Sequence, residues 1–393
     1  MPLLFLIVLT DSIGFGIILP LLPIFALKYS LSPIQLGLLI SAFAFFQLLT
    51  APFLGALSDK YGRKIIIIVC LLFISASYKL LAEATTFYGA LLARSLAGMF
   101  TGNISVVLAS VADLSTSNKR AKYMGYIGAA SGIGFMLGPI IGGFFGGPTV
   151  EGADVQLVFN IACVFTLVAA IMAAIFLKET LSLSVKSNKF DPVARIKRTL
   201  LLIFNDKYIT FLIYLSVLMW FSFASLNVFL STWSVMKFHL SPLSLGIIGT
   251  TFAFFAALVQ IISPKHITGS KAILIGFLIS SISTFALLFN PNMVSLVIIL
   301  IFLAIGIGIL FPNLNSTISL YGSESQRGFV LGISQSAGTL GQSLGPIIVG
   351  FIYANTSPNY GWLTIALSFS LAVIITVRFM WVEKQNALHK LNH

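Results

Sequence analysis

Four ionisable side chains stand inside long apolar runs, where an ionised group in hydrocarbon costs at least a few kcal/mol. They are Asp11, Lys79, Glu83 and Arg94. The chemistry open to them is proton exchange, ion pairing and the binding of a charged substrate. The sequence contains no nucleophile–base constellation, metal-ligand cluster or nucleotide-binding loop, so it predicts neither an enzyme nor a bound cofactor or metal.

The depths of Asp11 and Arg94 can be estimated from their positions in the apolar runs. Asp11 lies about eight residues from the start of the first run, which is roughly 12 Å at 1.5 Å per residue. Arg94 lies about eight residues into its run from the opposite face, so in a core of about 30 Å their depths differ by roughly 6 Å. Both can face one central cavity. Three interpretations of Asp11 are then open. Its carboxyl group couples transport to the proton gradient, it is a structural partner of Arg94, or it lies close enough to the membrane interface to stay hydrated.

Lys79 and Glu83 are one helical turn apart on the same face. One interpretation is an ion pair that reaches the membrane interface. In the other, Lys79 joins Arg94 in the cavity and favours an anionic substrate. The second half of the chain adds intramembrane amides that either line the cavity or bond helices together: Asn227, Asn313 and Gln335.

A charged turn separates the apolar residues 34–57 from 65–82; its sequence is Gly55-Ala-Leu-Ser-Asp59-Lys60-Tyr-Gly62-Arg63-Lys64. A turn there reverses a chain between two membrane crossings. Gly62 permits a tight bend, and the basic residues mark the cytoplasmic side. An acid four residues before Arg63 suggests an ion pair that holds neighbouring helix ends together. The predicted cytoplasmic gate comprises Gly55, Asp59, Gly62, Arg63, Lys64 and Asp113, which closes the fourth apolar run.

Composition defines the class of protein that holds these residues. Of 393 residues, 58% are hydrophobic and 9% charged, and the mean hydropathy is +1.02. In soluble domains about a quarter of the residues are charged, and in membrane β-barrels the apolar residues alternate with polar ones in short segments. This sequence shows neither pattern, so it predicts an all-α polytopic membrane protein. The net charge of +12 does not indicate nucleic acid, because 19 of the 23 Lys and Arg fall in alternate loops or the C-terminal tail. The expected partners are the lipid bilayer, protons and a small-molecule substrate, and the expected functional state is a monomer.

Twelve spans with both termini cytoplasmic fit this pattern. They lie near 3–25, 34–57, 65–84, 87–112, 121–146, 156–177, 208–235, 243–263, 271–289, 293–320, 328–353 and 360–381. The basic stretch 178–207 predicts a cytoplasmic linker between an N-terminal six-helix bundle, 1–177, and a C-terminal six-helix bundle with a short tail, 208–393.

The two halves repeat each other. Ser32-Pro33-x-x-Leu36-Gly37 returns as Ser241-Pro242-x-x-Leu245-Gly246, and Gly138-Pro139-Ile-Ile returns as Gly345-Pro346-Ile-Ile, at offsets of 209 and 207. Duplicated halves imply a substrate path at a pseudo-symmetric interface with alternating access. The fifth span also carries a pattern whose glycines allow close packing and whose proline kinks the helix: Gly134, Gly138, Pro139, Gly142 and Gly143.

Taken together, these residues resemble the twelve-span drug/proton antiporters of the major facilitator superfamily, and most of all the tetracycline and multidrug efflux group. The resemblance rests on the charged turn, residues 11–23, Arg94 with Gly98, and the fifth-span pattern. It implies that Asp59, Arg63 and Asp113 form a gate cluster that stabilises the outward-facing state. It also implies that Asp11 and Arg94 serve proton coupling or substrate binding, in a bacterial inner membrane.

Three hypotheses remain open at this point. The first is a proton-coupled exporter of a small amphipathic compound, the second a transporter of an anionic metabolite or siderophore anchored by Arg94 and Lys79, and the third a non-transporting receptor-like protein. Ser77 stands where tetracycline antiporters carry a third-span acid, and 271–289 has no acid where they carry another. We therefore expect a substrate other than tetracycline.

Overall fold

The computed structural model describes residues 1–115, 117–180, 207–320 and 327–391. Within these ranges the regular structure is helical, and twelve helical segments are long and apolar enough to cross a membrane. The predicted fold class and number of spans are therefore confirmed. The predicted linker, 178–207, lies outside the described residues except for 178–180 and 207.

The helices follow one another in the following order. They are α1 (Pro2–Ile18), α2 (Leu22–Lys28), α3 (Pro33–Tyr61), α4 (Arg63–Glu83), α5 (Phe87–Thr101), α6 (Asn103–Asp113), α7 (Ser117–Gly146), α8 (Val155–Phe176), α9 (Lys207–Phe238), α10 (Pro242–His266), α11 (Gly269–Ala286), α12 (Met293–Leu320), α13 (Arg327–Asn355) and α14 (Pro358–Leu391).

Two of the spans are broken. The first consists of α1 and α2, and the break falls around Pro20, which lacks the N–H that a continuous helix needs. The fourth consists of α5 and α6 with Gly102 between them. The second break makes Asn103 the first residue of α6, in the interior of the span.

The repeated Ser-Pro pair begins corresponding helices in the two halves of the sequence. The Ser32 hydroxyl accepts the N–H of Gln35 at 3.3 Å, and the Gln35 amide oxygen accepts the N–H of Ser32 at 2.8 Å, so α3 starts with a capping box. Ser241 likewise accepts the N–H of Ser244 at 3.2 Å at the start of α10. The repeat is therefore a helix-start signal used twice.

The chain divides into two compact units. The first contains Met1–Pro192 and Leu230–Thr251, and the second contains Val193–Phe229 and Phe252–His393. In the first unit α1 packs on α7 and α8, α3 on α5, and α4 on α8; in the second, α11 packs between α12 and α14. Large apolar side chains remain on the outer surfaces, for example Ile175 and Ile282. Such surfaces suit a chain surrounded by lipid.

The fourth span lies close to α3 because it has glycines where the two helices cross. A Cβ atom at Gly98 would lie 2.2 Å from the carbonyl oxygen of Phe43, and one at Gly102 would lie 2.9 Å from the Cα of Ala51. These glycines are four residues apart and face the same neighbour, as in other close helix pairs of membrane proteins. The close approach brings α3 beside Arg94.

Replacing Gly98 by alanine should therefore destabilise the first unit. The new methyl group meets backbone rather than a movable side chain, so the helices must separate, and we expect a loss of about 1–3 kcal/mol. The thermal unfolding midpoint in detergent measures the change. Gly128→Ala is the matched control, because a Cβ there meets nothing within 4 Å; equal midpoints for the two variants would contradict the argument.

Candidate functional site

Arg63, the first residue of α4, is the centre of the charged turn. Its Nη2 lies 2.6 Å from Asp59 Oδ1 and its Nε lies 3.2 Å from Asp113 Oδ2. Its Nη1 donates to the Ser58 hydroxyl at 2.5 Å. The Arg63 side chain is 10% exposed, whereas those of Asp59 and Asp113 are 49% and 28% exposed. One buried guanidinium thus joins the ends of α3, α4 and α6 through charge-assisted hydrogen bonds.

The backbone of the turn directs Arg63 toward α3. Gly62 has φ +106°, a conformation that costs a residue with a side chain about 1–2 kcal/mol, and the chain reverses there. Ser58, in the last turn of α3, donates its hydroxyl to the carbonyl oxygen of Gly55 at 2.6 Å, which leaves the hydroxyl oxygen free to accept from Arg63. Gly55 therefore contributes a carbonyl acceptor to the turn, and Gly62 contributes the positive φ at which the chain reverses.

Asp11 faces the interior of the first unit. Its carboxyl group interacts with the side chain of Asn103 at the start of α6, and electrostatically with Tyr78 and Cys70 on α4. Asn103 is 5% exposed and Tyr78 2% exposed, while Asp11 itself is only partly buried. The carboxyl group thus lies among polar neighbours within the helix packing.

Arg94, on α5, lies in an aromatic environment. Its side chain is 1% exposed, and its guanidinium carbon is 4.4 Å from the centre of the Phe43 ring and 6.0 Å from that of Phe15. Tyr78 lies near enough to both Asp11 and Arg94 for each of them to influence it, and no ion pair between Asp11 and Arg94 is found among the described residues. Among the described residues, Nε and Nη1 of Arg94 have no hydrogen-bond partner. A buried cation with two unused donors can bind an acceptor that arrives with a substrate.

Lys79 makes its polar contacts away from this group. Its Nζ lies 3.1 Å from Glu83 Oε1 and donates to Asn160 Oδ1 at 3.1 Å, and the Lys79 and Glu83 side chains are 51% and 57% exposed. Asn160 lies on α8, against which α4 packs. The structure thus favours the interfacial pair over the interpretation that places Lys79 with Arg94 in a cavity.

Replacing Lys79 by methionine should accordingly leave substrate affinity unchanged. An exposed ion pair contributes about 0–1 kcal/mol, and the methionine stem retains the apolar contacts of the lysine. Equilibrium binding of a transported compound to the purified variant measures this. A clear loss of affinity for anionic compounds would return Lys79 to the substrate site.

The predicted cavity residues of the second half all belong to the second unit. The Asn227 and Asn313 amides donate to the carbonyl oxygens of Phe223 and Ile309, four residues earlier on their own helices, each at 2.8 Å. Asn313 is 2% exposed, whereas Gln335 is exposed. Asn313 therefore has the environment of a buried helix residue, and Gln335 that of a surface residue of its unit.

The fifth-span glycines pack against two different helices. Cβ atoms at Gly134, Gly138 and Gly142 would lie 2.5–2.6 Å from atoms of α1, the helix that carries Asp11. A Cβ at Gly143 would instead lie 2.6 Å from the Pro242 carbonyl oxygen of α10, and one at Gly246 would lie 2.4 Å from the Pro139 carbonyl oxygen. α7 is thus packed tightly between α1 and the first residues of α10.

Two residues of the Asp11 surroundings were not singled out in the sequence. Tyr78 and Asn103 are polar residues inside the apolar stretches of α4 and α6, which is the signal by which the sequence could have drawn attention to them. Among the described residues, no three side chains of His, Cys, Asp or Glu come together in a way that could hold a metal ion.

The fold, the buried charges and the charged turn define a helical membrane transporter. The chain belongs to the Major Facilitator Superfamily, whose profile matches residues 4–270 and 238–392. The predicted family is therefore confirmed, and the relatives are transporters rather than enzymes.

Individual relatives match almost the whole chain. It is 29% identical over 394 residues to "Multidrug resistance protein 2" of Bacillus subtilis (strain 168), covering 97% of this chain and 94% of the relative. It is 30% identical over 391 residues to "Tetracycline resistance protein, class B" of Escherichia coli, covering 95% and 94%. Among solved structures, that of the human organic anion transporter MFSD10 (TETRAN) has a TM-score of 0.71 at 25% identity and covers 95% of this chain and 98% of that one.

Proposed function

We propose that the protein is a proton-coupled antiporter that exports a small amphipathic compound by alternating access. The observation that carries the proposal is the set formed by Asp11, Asn103, Tyr78 and Arg94 in the interior of the first unit. A carboxyl group there can be neutral or ionised depending on what occupies the site, which is the property that an exchange of proton for substrate requires. The names of two bacterial relatives, a multidrug and a tetracycline resistance protein, support export of a drug-like compound.

In this mechanism each residue has a defined task. Asp11 binds the incoming proton, and Asn103 stabilises the ionised carboxylate by a hydrogen bond. Phe15 is partly exposed and, with the buried Arg94 and Phe43 behind it, would form an amphipathic wall for a substrate once the surrounding helices move apart. The gate cluster of Asp59, Arg63 and Asp113 closes and opens the predicted cytoplasmic end. The proton gradient supplies the energy, so no cofactor is required.

The proposed setting follows from the charge distribution. We place both termini and the charged turn in the cytoplasm, because the basic residues lie on that side, and we assign the protein to the bacterial inner membrane as a functional monomer. Expression with a reporter fused after residue 391, active only on one side of the membrane, tests the orientation. Activity of a fused reporter that works only on the outer face of the membrane would reverse the proposed orientation.

Proteoliposomes test the function directly. An imposed pH gradient should drive accumulation of at least one cationic or neutral amphipathic compound, with proton movement in the opposite direction, and an uncoupler should abolish both. The assay is run with cationic, neutral and polycarboxylate compounds in parallel. Transport that does not respond to the pH gradient would contradict proton coupling.

A second candidate function is transport of an anionic compound. It is favoured by the two unpartnered donors of Arg94, whose guanidinium geometry suits a carboxylate. The similarity to a structure described as an organic anion transporter agrees with this candidate. Accumulation of polycarboxylates, with no movement of cationic compounds, would select it over drug export.

A further inference from the structure

An acidic side chain just after α8 binds the backbone of the charged turn. Oε1 of Glu179 accepts the N–H of Arg63 at 2.9 Å, and Oε2 accepts the N–H of Lys64 at 3.2 Å. These amides belong to the first turn of α4 and have no acceptor within their own helix. A carboxylate in this position supplies both missing acceptors and is attracted by the positive end of the helix.

Gly62 leaves the space that this carboxylate occupies. A Cβ at Gly62 would lie 2.3 Å from Glu179 Oε2 and 2.9 Å from its carboxyl carbon. The positive φ already disfavours a side chain at this position, so glycine is required there for two independent reasons. The turn and Glu179 therefore form one fitted unit, although 116 residues separate Arg63 from Glu179.

The second unit contains a corresponding arrangement. Gly269 also has a positive φ, +68°, and lies 207 residues after Gly62, the offset found for the fifth and eleventh spans. The hydroxyl of Ser270, in the first turn of α11, donates to Glu383 of α14. In the first unit an acid just after the sixth span thus binds the start of the third span. In the second unit an acid near the end of the twelfth span binds the start of the ninth. The arrangement recurs even though the ion pair of the turn does not, since His266 and Ser270 stand at the positions that correspond to Asp59 and Arg63.

We propose that Glu179 is a positioning residue of the gate. Its carboxylate fixes the backbone of Arg63 and Lys64 on one side, while the Arg63 side chain binds Asp59 and Asp113 on the other. Arg63 is therefore held at both ends, and the chain leaving α8 toward the linker is tied to the charged turn. The expected effect on transport rests on the proposed function, whereas the expected effect on the backbone does not.

Hydrogen exchange tests the backbone part in the full-length protein in lipid nanodiscs. In Glu179→Ala the amides of Arg63 and Lys64 should exchange about tenfold or more faster, because each loses its charged acceptor. Glu383→Ala is the matched control and should leave exchange in peptides covering 60–66 unchanged. Unchanged exchange in Glu179→Ala, or an equal rise in both variants, would overturn the proposal.

A double-mutant cycle of Gly62→Ala and Glu179→Ala tests the fit independently. The methyl group added at Gly62 collides with the carboxylate only when Glu179 is present. The loss of thermal stability in the double variant should therefore be smaller than the sum of the two single losses. Strict additivity would show that the two residues do not act as a unit and would contradict the proposal.

Transport kinetics test the positioning role. Glu179→Ala should lower the maximal transport rate about tenfold with an unchanged KM, because the gate is disturbed and the substrate site is not. Glu179→Asp, which retains the carboxylate, should recover part of the rate. A raised KM at an unchanged rate would overturn the positioning role. Should the unaltered protein show no proton coupling, the proposed function fails, while the exchange and stability measurements still decide whether Glu179 holds the turn.

Discussion

Replacing Asp11 by asparagine is expected to abolish proton-driven efflux while leaving the protein folded. The substitution keeps the volume of the side chain and a hydrogen-bonding partner for Asn103 but removes the group that can bind and release a proton. Asp11 lies among polar side chains, of which Asn103 and Tyr78 are nearly buried, so the neutral asparagine can take its place without a change in the helix packing. We expect at least a hundredfold loss of uphill transport, comparable to the removal of an essential acid–base group.

Two transport measurements distinguish the loss of proton coupling from the loss of substrate transport itself. Uphill efflux driven by a pH gradient should disappear in Asp11→Asn, whereas exchange of labelled for unlabelled substrate at equal pH should persist. Glu151→Gln, a change at an exposed acid between α7 and α8, is the control and should behave like the unaltered protein. Undiminished uphill efflux in Asp11→Asn would remove Asp11 from the coupling mechanism.

The predicted gate and the proposed proton site share structural elements. The fourth span carries Arg94 on α5 and Asn103 at the first position of α6, and the same α6 ends at Asp113 in the gate cluster. A movement of α6 about the break at Gly102 would alter the neighbour of Asp11 and the partner of Arg63 together. Under the proposed mechanism, this continuity would connect protonation of Asp11 with opening of the gate.

The sequence was sufficient for the features that depend on length and local spacing. Apolar runs of about 20 residues fix the number of spans because the bilayer has a fixed thickness. The acid four residues before Arg63 was enough to suggest their ion pair, since two opposite charges so close in sequence remain within reach of each other across a short turn. The similar depths of Asp11 and Arg94 followed from the rise of an α-helix and stay a prediction.

The features that depend on the rotation of a helix about its axis, or on contacts between distant residues, could not be deduced from the sequence. A helix that is apolar on all sides has no polar face from which its rotation can be deduced, so the sequence left open whether Lys79 points to Arg94 or to the surface. Contacts such as Glu179 with Arg63 join residues 116 positions apart, and no local pattern announces them. Asn103 was missed because its role depends on the break at Gly102, which composition alone does not locate.

Replacing Arg94 by methionine should raise the thermal stability of the protein and abolish its transport. Arg94 is 1% exposed, and within the described part of the chain two of its nitrogens have no hydrogen-bond partner. A buried charge of this kind carries a desolvation penalty that stacking on Phe43 offsets only in part, and methionine fills a similar elongated space without that penalty. Replacing buried charges by apolar groups has stabilised other proteins by about 1–4 kcal/mol, so the unfolding midpoint should rise by several degrees.

Arg63→Met is the matched control, because it removes an arginine that is fully used. Arg63 binds Asp59, Asp113 and Ser58, so its loss leaves two acids without their cation and should lower the midpoint. Opposite shifts of the two midpoints, together with loss of transport in both variants, would show that Arg63 serves the architecture of the gate. They would also show that the protein retains Arg94 at a cost in stability for the sake of its function. A midpoint that falls in Arg94→Met as far as in Arg63→Met would instead make Arg94 a structural residue, and normal transport by Arg94→Met would exclude it from both candidate mechanisms.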